Sequence, residues 1–149
     1  MANATFYIVS ADTPQASPTG FIEYVIFLVH HFVQQNAKVY LNCLNRSHAE
    51  EVAEAFWSLE TDKFIPHNLV GEGPKNGTSV EIGFDGINPS WNRQIIINLA
   101  DINSTFANQF TEVIDFVPCD ENSKHLARAR YKMYRQAGFQ MQTIEIKHP

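Results

Sequence analysis

An α/β domain with a mostly parallel sheet is the fold class that this sequence predicts, and two observations carry it. Short β-branched and aromatic runs alternate with longer apolar stretches of helical period, the order expected of strands joined by helical crossovers. The chain has 149 residues, 44% of them hydrophobic. That is enough for one ordinary core, and no internal repeat or linker divides residues 1–149, so a single domain is expected.

Residues 5–9 are β-branched and aromatic and predict a buried strand, followed by a polar loop with Pro14 and Pro18. A helix is predicted over 21–35. Phe21, Val25, Leu28 and Phe32 lie on one side of it, and Ile22, Ile26 and Val29 widen the stripe until the helix must be largely covered. Residues 39–43 read as a second strand. Ser47 with Glu50 three residues on has the pattern of a capping box, and it opens a helix running through Ala49, Val52, Ala53 and Phe56 to Leu59. Past Thr61, turn-forming residues in FIPHN (64–68) and GEGPKNG (71–77) predict the longest loop. Strands follow at 80–84 and 94–99, joined by the turn-rich DGINPSW (85–91). A short helix at 104–110, a strand at 112–117, a helix around 124–135 and a last strand at 141–146 complete the chain.

Catalytic motifs find little support. The glycine-rich 71–77 loop has neither the Gly-Lys-Ser/Thr ending of a phosphate loop nor the dinucleotide fingerprint after a first strand. His30 and His31 are adjacent, so on a helix they point about 100° apart and cannot share a metal as an i, i+4 pair can. Cys43 and Cys119 form no Cys-X-X-Cys pair, and no nucleophile elbow presents a serine or cysteine. Glu50, Glu51 and Glu54 read as the solvated face and first turn of their helix. No catalytic, metal or cofactor site is therefore expected. The two cysteines and the absence of a basic, then apolar, start predict a reduced cytoplasmic protein. The longest apolar stretch, 24–33, contains His30 and His31 and is too short to cross a bilayer.

Charge is distributed unevenly. The net charge is −5, yet the segment from Lys124 to Arg135 holds five of the eleven Lys and Arg residues. Residues 1–120 carry net −9 and residues 121–149 carry net +4. On an ideal helix Lys124, Arg128, Tyr131, Lys132 and Arg135 share one side, and Leu126, Ala129, Met133 and Ala137 the opposite, packing side. An outward basic face with a tyrosine suits an anionic partner, whereas an acidic body disfavours wrapping of nucleic acid. The helix alone does not choose between an acidic peptide, DNA and plain solvent. Trp57, a quarter-turn from the core position Phe56, and Phe64, in the loop beside Pro66 and His67, are candidates for an exposed aromatic partner surface or for the rim of the core.

Four ordered blocks then point to a family: MANATFY (1–7), FIPHNLVGEGP (64–74), FTEVIDFVP (110–118) and ARARYKMYRQAGF (127–139). Together they resemble the chi subunit of bacterial DNA polymerase III holoenzyme, from the first residue to about Phe139. The resemblance implies a Rossmann-like α/β domain without nucleotide chemistry, acting as an adaptor and not an enzyme. It implies two partners: the psi subunit, which tethers chi to the clamp loader, and the acidic C-terminal tail of single-stranded-DNA-binding protein, so that DNA is met only indirectly. Carried over by position, Lys124 and Arg128 pair with the tail's carboxylates, Lys132 adds attraction, Tyr131 packs against the tail's apolar end, and Val117 and Gly138 can help shape the pocket. By the same carry-over Trp57, Phe64, Pro66 and His67 face psi, and an alternative helicase partner uses an overlapping patch. The 84–94 connection and the C-terminal residues receive no role. Direct binding of single-stranded nucleic acid is the competing function.

Overall fold

The computed structural model describes residues 3–11, 13, 16–58, 67–69, 80–84, 95–99 and 112–146. Among the described residues, seven strands and three helices follow one another as β1 (Asn3–Ile8), α1 (Pro18–Gln34), β2 (Val39–Cys43), α2 (Arg46–Trp57), β3 (His67–Leu69), β4 (Val80–Phe84), β5 (Ile95–Asn98), β6 (Glu112–Val117), α3 (Glu121–Gln136) and β7 (Gln140–Glu145). The strands form one sheet in the order β3-β4-β2-β5-β6-β1-β7. All six neighbouring pairs are parallel, so the predicted α/β class with a parallel sheet is what forms.

A parallel sheet needs cover on both faces, and the period-two alternation of each strand divides the side chains between two layers. On one face Leu41, Ile82, Ile97 and Ile114 meet Val25, Leu28, Val29 and Phe32 of α1 and Val52 and Phe56 of α2. On the other face Phe6, Tyr40, Ile96 and Val113 meet Tyr134 of α3 and Phe139 just beyond it. The two-layer arrangement explains why α1 reads as apolar nearly all round while α3 does not. Cys43 belongs to the first layer, and burial pushes its thiol up to about 12, which keeps it protonated at neutral pH.

Helix ends follow local chemistry. Ser17, Asn45 and Asp120 sit in extended conformation before their helices, and each side chain accepts a hydrogen bond from the backbone three residues on. The second of these corrects the expected start of α2. Asn45 Oδ1 accepts from the His48 amide at 2.9 Å, so Ser47 lies inside the helix and is not its cap. At the other ends, Asn36 (φ 64°) and Gly138 (φ 99°) take the left-handed conformation. There the Ala37 and Phe139 amides reach back to the carbonyls of Phe32 and Tyr134, and the Asn36 and Gly138 amides to those of Val33 and Arg135. Both helices thus end in the same left-handed cap. A second correction concerns 67–69, expected as loop and found as edge strand β3 against β4. The turn formers on either side mask a three-residue strand. The expected short helix at 104–110, the 71–77 loop and the 85–91 connection lie outside the described residues.

The Asp120 cap makes the first turn of α3 sensitive to acid. Its hydrogen bonds with Ser123 hold the carboxyl below the ordinary value of 3.8. The stabilisation is complete above 3.8 and is lost as the pH falls through the lowered value. Protection of the Ser123 amide, its exchange rate relative to an unstructured peptide at the same pH, should fall on acidification in the native chain and lose that response in Asp120→Asn, since asparagine caps equally well without titrating.

Candidate binding face on the basic helix

Helix α3 does not sit on the sheet in the way its amphipathic pattern predicts. The buried stripe is Ala127, Arg130 and Tyr134, whereas Ala129 and Ala137, expected on the packing side, are exposed. Leu126 and Met133 are half-buried at one margin of the stripe, and Lys124 and Tyr131 at the other. The helix is therefore rotated so that one of its five cations, Arg130, points into the protein.

The reason is a carboxylate in the sheet. Asp115 stands in β6 on the α3 side, between Val113 and Val117, and is 1% exposed. Arg130, 3% exposed, engages it with two parallel hydrogen bonds, Nε to Oδ2 at 2.8 Å and an Nη to Oδ1 at 3.0 Å. A further bond runs from the same guanidinium to the carbonyl of Phe116 at 3.2 Å. Tyr134 donates its hydroxyl to Asp115 Oδ2 at 3.1 Å, and the Phe116 amide donates to Oδ1 at 2.7 Å. Asn98 on β5 donates to Asp115 at 3.2 Å, and Asn42 on β2 donates to Asn98 at 3.0 Å. A polar row thus crosses three adjacent strands beneath the helix. Burial pushes the Asp115 carboxyl up, and the Arg130 charge and the hydrogen bonds pull back against it. Burial and the Asp115 charge likewise raise the Tyr134 phenol, which keeps the hydroxyl a donor.

The outer surface of α3 then follows. Arg128, Lys132 and Arg135 are exposed, and Arg128 and Lys132 enter no ion pair among the described residues. Lys124 is 34% exposed, with its ammonium 3.7 Å from Glu121. Tyr131 lies between these cations and the core, its ring centroid 5.3 Å from that of Phe6. Phe6 in turn packs on Tyr134 at 5.8 Å. The result is a cationic ridge beside a half-buried aromatic ring. The two residues carried over as pocket walls lie apart: Val117 ends β6 ahead of α3, and Gly138 follows its last turn. A helix of 16 residues, about 24 Å long, separates them.

Of the other candidate surface, Trp57 and His67 are described and Phe64 and Pro66 are not. Trp57 is 67% exposed at the end of α2, as its quarter-turn from buried Phe56 predicts. His67 is buried on β3, its ring 5.1 Å from Phe56 and 5.2 Å from Trp57. It backs the tryptophan more than it faces solvent. α2 packs on β3 and β4 and α3 on β6 and β7, so the two surfaces lie on opposite faces and toward opposite ends of the sheet.

Neighbouring strands β1 and β6 send their helices to opposite faces, the place where doubly wound folds bind nucleotides. A cleft of about 210 Å³ does open there, lined by Val9, Ala16, Ser17, Phe21, Pro118, Cys119 and Asp120. Its polar ends are already used. Ser17 Oγ and the Asp120 carboxylate take the amides that a phosphate would bind, and a carboxylate at that place repels an anion. Among the described residues no three His, Cys, Asp or Glu side chains gather into a metal site, and no described helix is long and apolar enough to cross a membrane.

The sequence reading missed Asp115, Arg130 and Tyr134. The signal that points to them is an aspartate in the middle of the apolar run VIDFV (113–117), matched by an arginine at helical spacing between Ala127 and Tyr134. Arg130→Met should destabilise the fold by about 3 to 5 kcal/mol, because it leaves the Asp115 charge buried without its partner. Urea unfolding measures this, and a loss below about 1 kcal/mol would mean that the pair is solvated.

The family model described as DNA polymerase III chi subunit, HolC, matches residues 1–142. The DNA polymerase III subunit chi of Escherichia coli K12 is 39% identical over 147 residues, covering 99% of this chain and all of the relative. The subunit chi of Haemophilus influenzae is 38% identical over 109 residues, 73% of this chain and 76% of the relative. That of Pseudomonas aeruginosa is 26% identical over 95% of each. The match spans the sheet and all three helices, including the strand that carries Asp115 and the helix that carries Arg130, and the chain belongs to the DNA polymerase III chi subunit family.

Proposed function

We propose that this protein is a non-catalytic adaptor of the DNA polymerase III clamp-loader assembly, working in the cytoplasm. It holds the psi subunit on one surface and the acidic C-terminal tail of single-stranded-DNA-binding protein on another, and so meets DNA through a second protein. The observation that carries the reading is the α3 surface in a chain of this family: Arg128 and Lys132, which enter no ion pair among the described residues, stand beside a half-buried tyrosine on a protein whose net charge is −5.

Each part of such a tail has a counterpart. Arg128 offers a planar fork to a carboxylate, Lys124 and Lys132 flank it one helical turn away on either side, and the Tyr131 ring supplies apolar area for the tail's terminal side chain. Val117 is assigned to the near end of this surface. Exposed ion pairs contribute only about 0 to 1 kcal/mol each, so the affinity is modest, falls with salt and gains from several tails on one strand.

Psi is assigned to Trp57, Phe64, Pro66 and His67, where an exposed tryptophan supported by His67 supplies the aromatic anchor of a lasting interface. A helicase partner would compete for the same patch. Placement of the two surfaces on opposite faces supports simultaneous occupancy. Direct binding of single-stranded nucleic acid is the weaker reading, since most of the body would repel phosphates.

The deciding titration sets an acidic peptide ending in Pro-Phe with a free carboxylate against a bare oligonucleotide at physiological salt; tighter binding of the oligonucleotide rejects the adaptor reading. Arg128→Ala should weaken peptide binding by about 1.5 to 3 kcal/mol, the range for a charge-assisted hydrogen bond, and leave psi association intact. In the converse case, Trp57→Ala should weaken psi association in a pull-down while the peptide isotherm stays unchanged. A single variant that abolishes both in a folded protein would argue for one shared surface.

A further inference from the structure

The Asp115–Arg130–Tyr134 cluster is the buried feature that the adaptor reading leaves unused. Its burial is not needed for a layer of this kind. Around it on the same face Phe6, Ile96 and Val113 pack without charge, although Glu81, the sheet neighbour of Tyr40, is buried farther along that face, and α3 with an apolar residue at position 130 would have an ordinary apolar stripe. A buried ion pair seldom adds net stability over an apolar pair of similar volume, but its fixed geometry allows one arrangement where apolar packing tolerates several. Here that geometry is demanding. Two parallel bonds fix the plane of the guanidinium, and a third to the Phe116 carbonyl fixes its position along β6. A rotation or one-residue slide of α3 breaks all three.

The outward consequence is direct. Arg130 lies two residues from both Arg128 and Lys132 and is the immediate neighbour of Tyr131, so whatever sets Arg130 sets the outer ridge. A second line of contact runs from Asp115 to the Tyr134 hydroxyl, from the Tyr134 ring to Phe6, and from Phe6 to the Tyr131 ring. We propose that Arg130, with Asp115 and Tyr134, is the positioning group of the α3 binding face: it sets the rotation and register that align Arg128, Lys132 and Tyr131 on one ligand, here an acidic peptide. The proposal rests on the tail reading above for the identity of that ligand.

The test separates stability from position. In the triple variant Asp115→Leu, Arg130→Met, Tyr134→Phe the charges are removed together, so the fold should persist, as judged by circular dichroism and a cooperative urea transition. Its affinity for an aspartate-rich peptide ending in Pro-Phe should nonetheless fall about tenfold or more, the effect of misaligning a charge-assisted hydrogen bond, and the amide resonances of 124–135 should shift or broaden without ligand. Tyr134→Phe alone removes one hydroxyl and keeps the Asp115–Arg130 pair, and should show the same two changes in smaller measure. A folded triple variant, or Tyr134→Phe, with native affinity overturns the positioning role and leaves the tail reading standing. Wild-type protein that does not bind the peptide overturns the tail reading, and the positioning role falls with it.

Discussion

A carboxylate that accepts hydrogen bonds from Arg130, Tyr134, Asn98 and the Phe116 amide is the point about which the α3 side of this molecule is organised. Asp115 is fully enclosed, and an enclosed charge is tolerable only when its lone pairs are met by donors held in place. The donors come from three elements: the next residue of β6, the neighbouring strand β5 and the helix α3. Satisfying one side chain therefore ties helix to sheet at a defined rotation. Apolar contacts of Tyr134 and Phe139 supply adhesion on this face, and the ion pair supplies the direction.

The same constraint divides the charge of α3. Five cations stand in the segment, but one is spent internally, leaving a surface ridge whose members are set by the buried one. That division reconciles a basic helix with an acidic protein. Arg128 and Lys132 enter no ion pair among the described residues, and the half-buried Tyr131 adds aromatic surface beside them. On the far face and toward the other end of the sheet, Trp57 backed by His67 is an exposed aromatic side chain. A parallel sheet whose crossovers place α2 and α3 on different faces gives a small protein two well-separated surfaces.

The fold was legible because its signals are local. Strands β2, β4 and β6 have the bounds that their β-branched runs predict, and α1 and α2 follow from apolar stripes at helical spacing. Errors arose where two local signals competed or where context overrode one. Asn45 and Ser47 are both good caps, and the extended backbone at Asn45 selects it. His67 to Leu69 form a strand only because β4 offers an edge, which no three-residue stretch can announce. The exposure of Trp57 was readable from its phase on α2, while the packing side of α3 was misjudged because Leu126, Ala129, Met133 and Ala137 were taken to mark it and Arg130 was placed on neither side.

Sequence by itself determined the α/β class, the concentration of positive charge in residues 121–149, and the family, since each depends on composition, period or ordered blocks along the chain. Only the tertiary structure decided which face of α3 is buried and hence which cations are outward. The physical reason is that the choice lies with a group fifteen residues away, Asp115, whose need for donors exists only once the sheet has enclosed it.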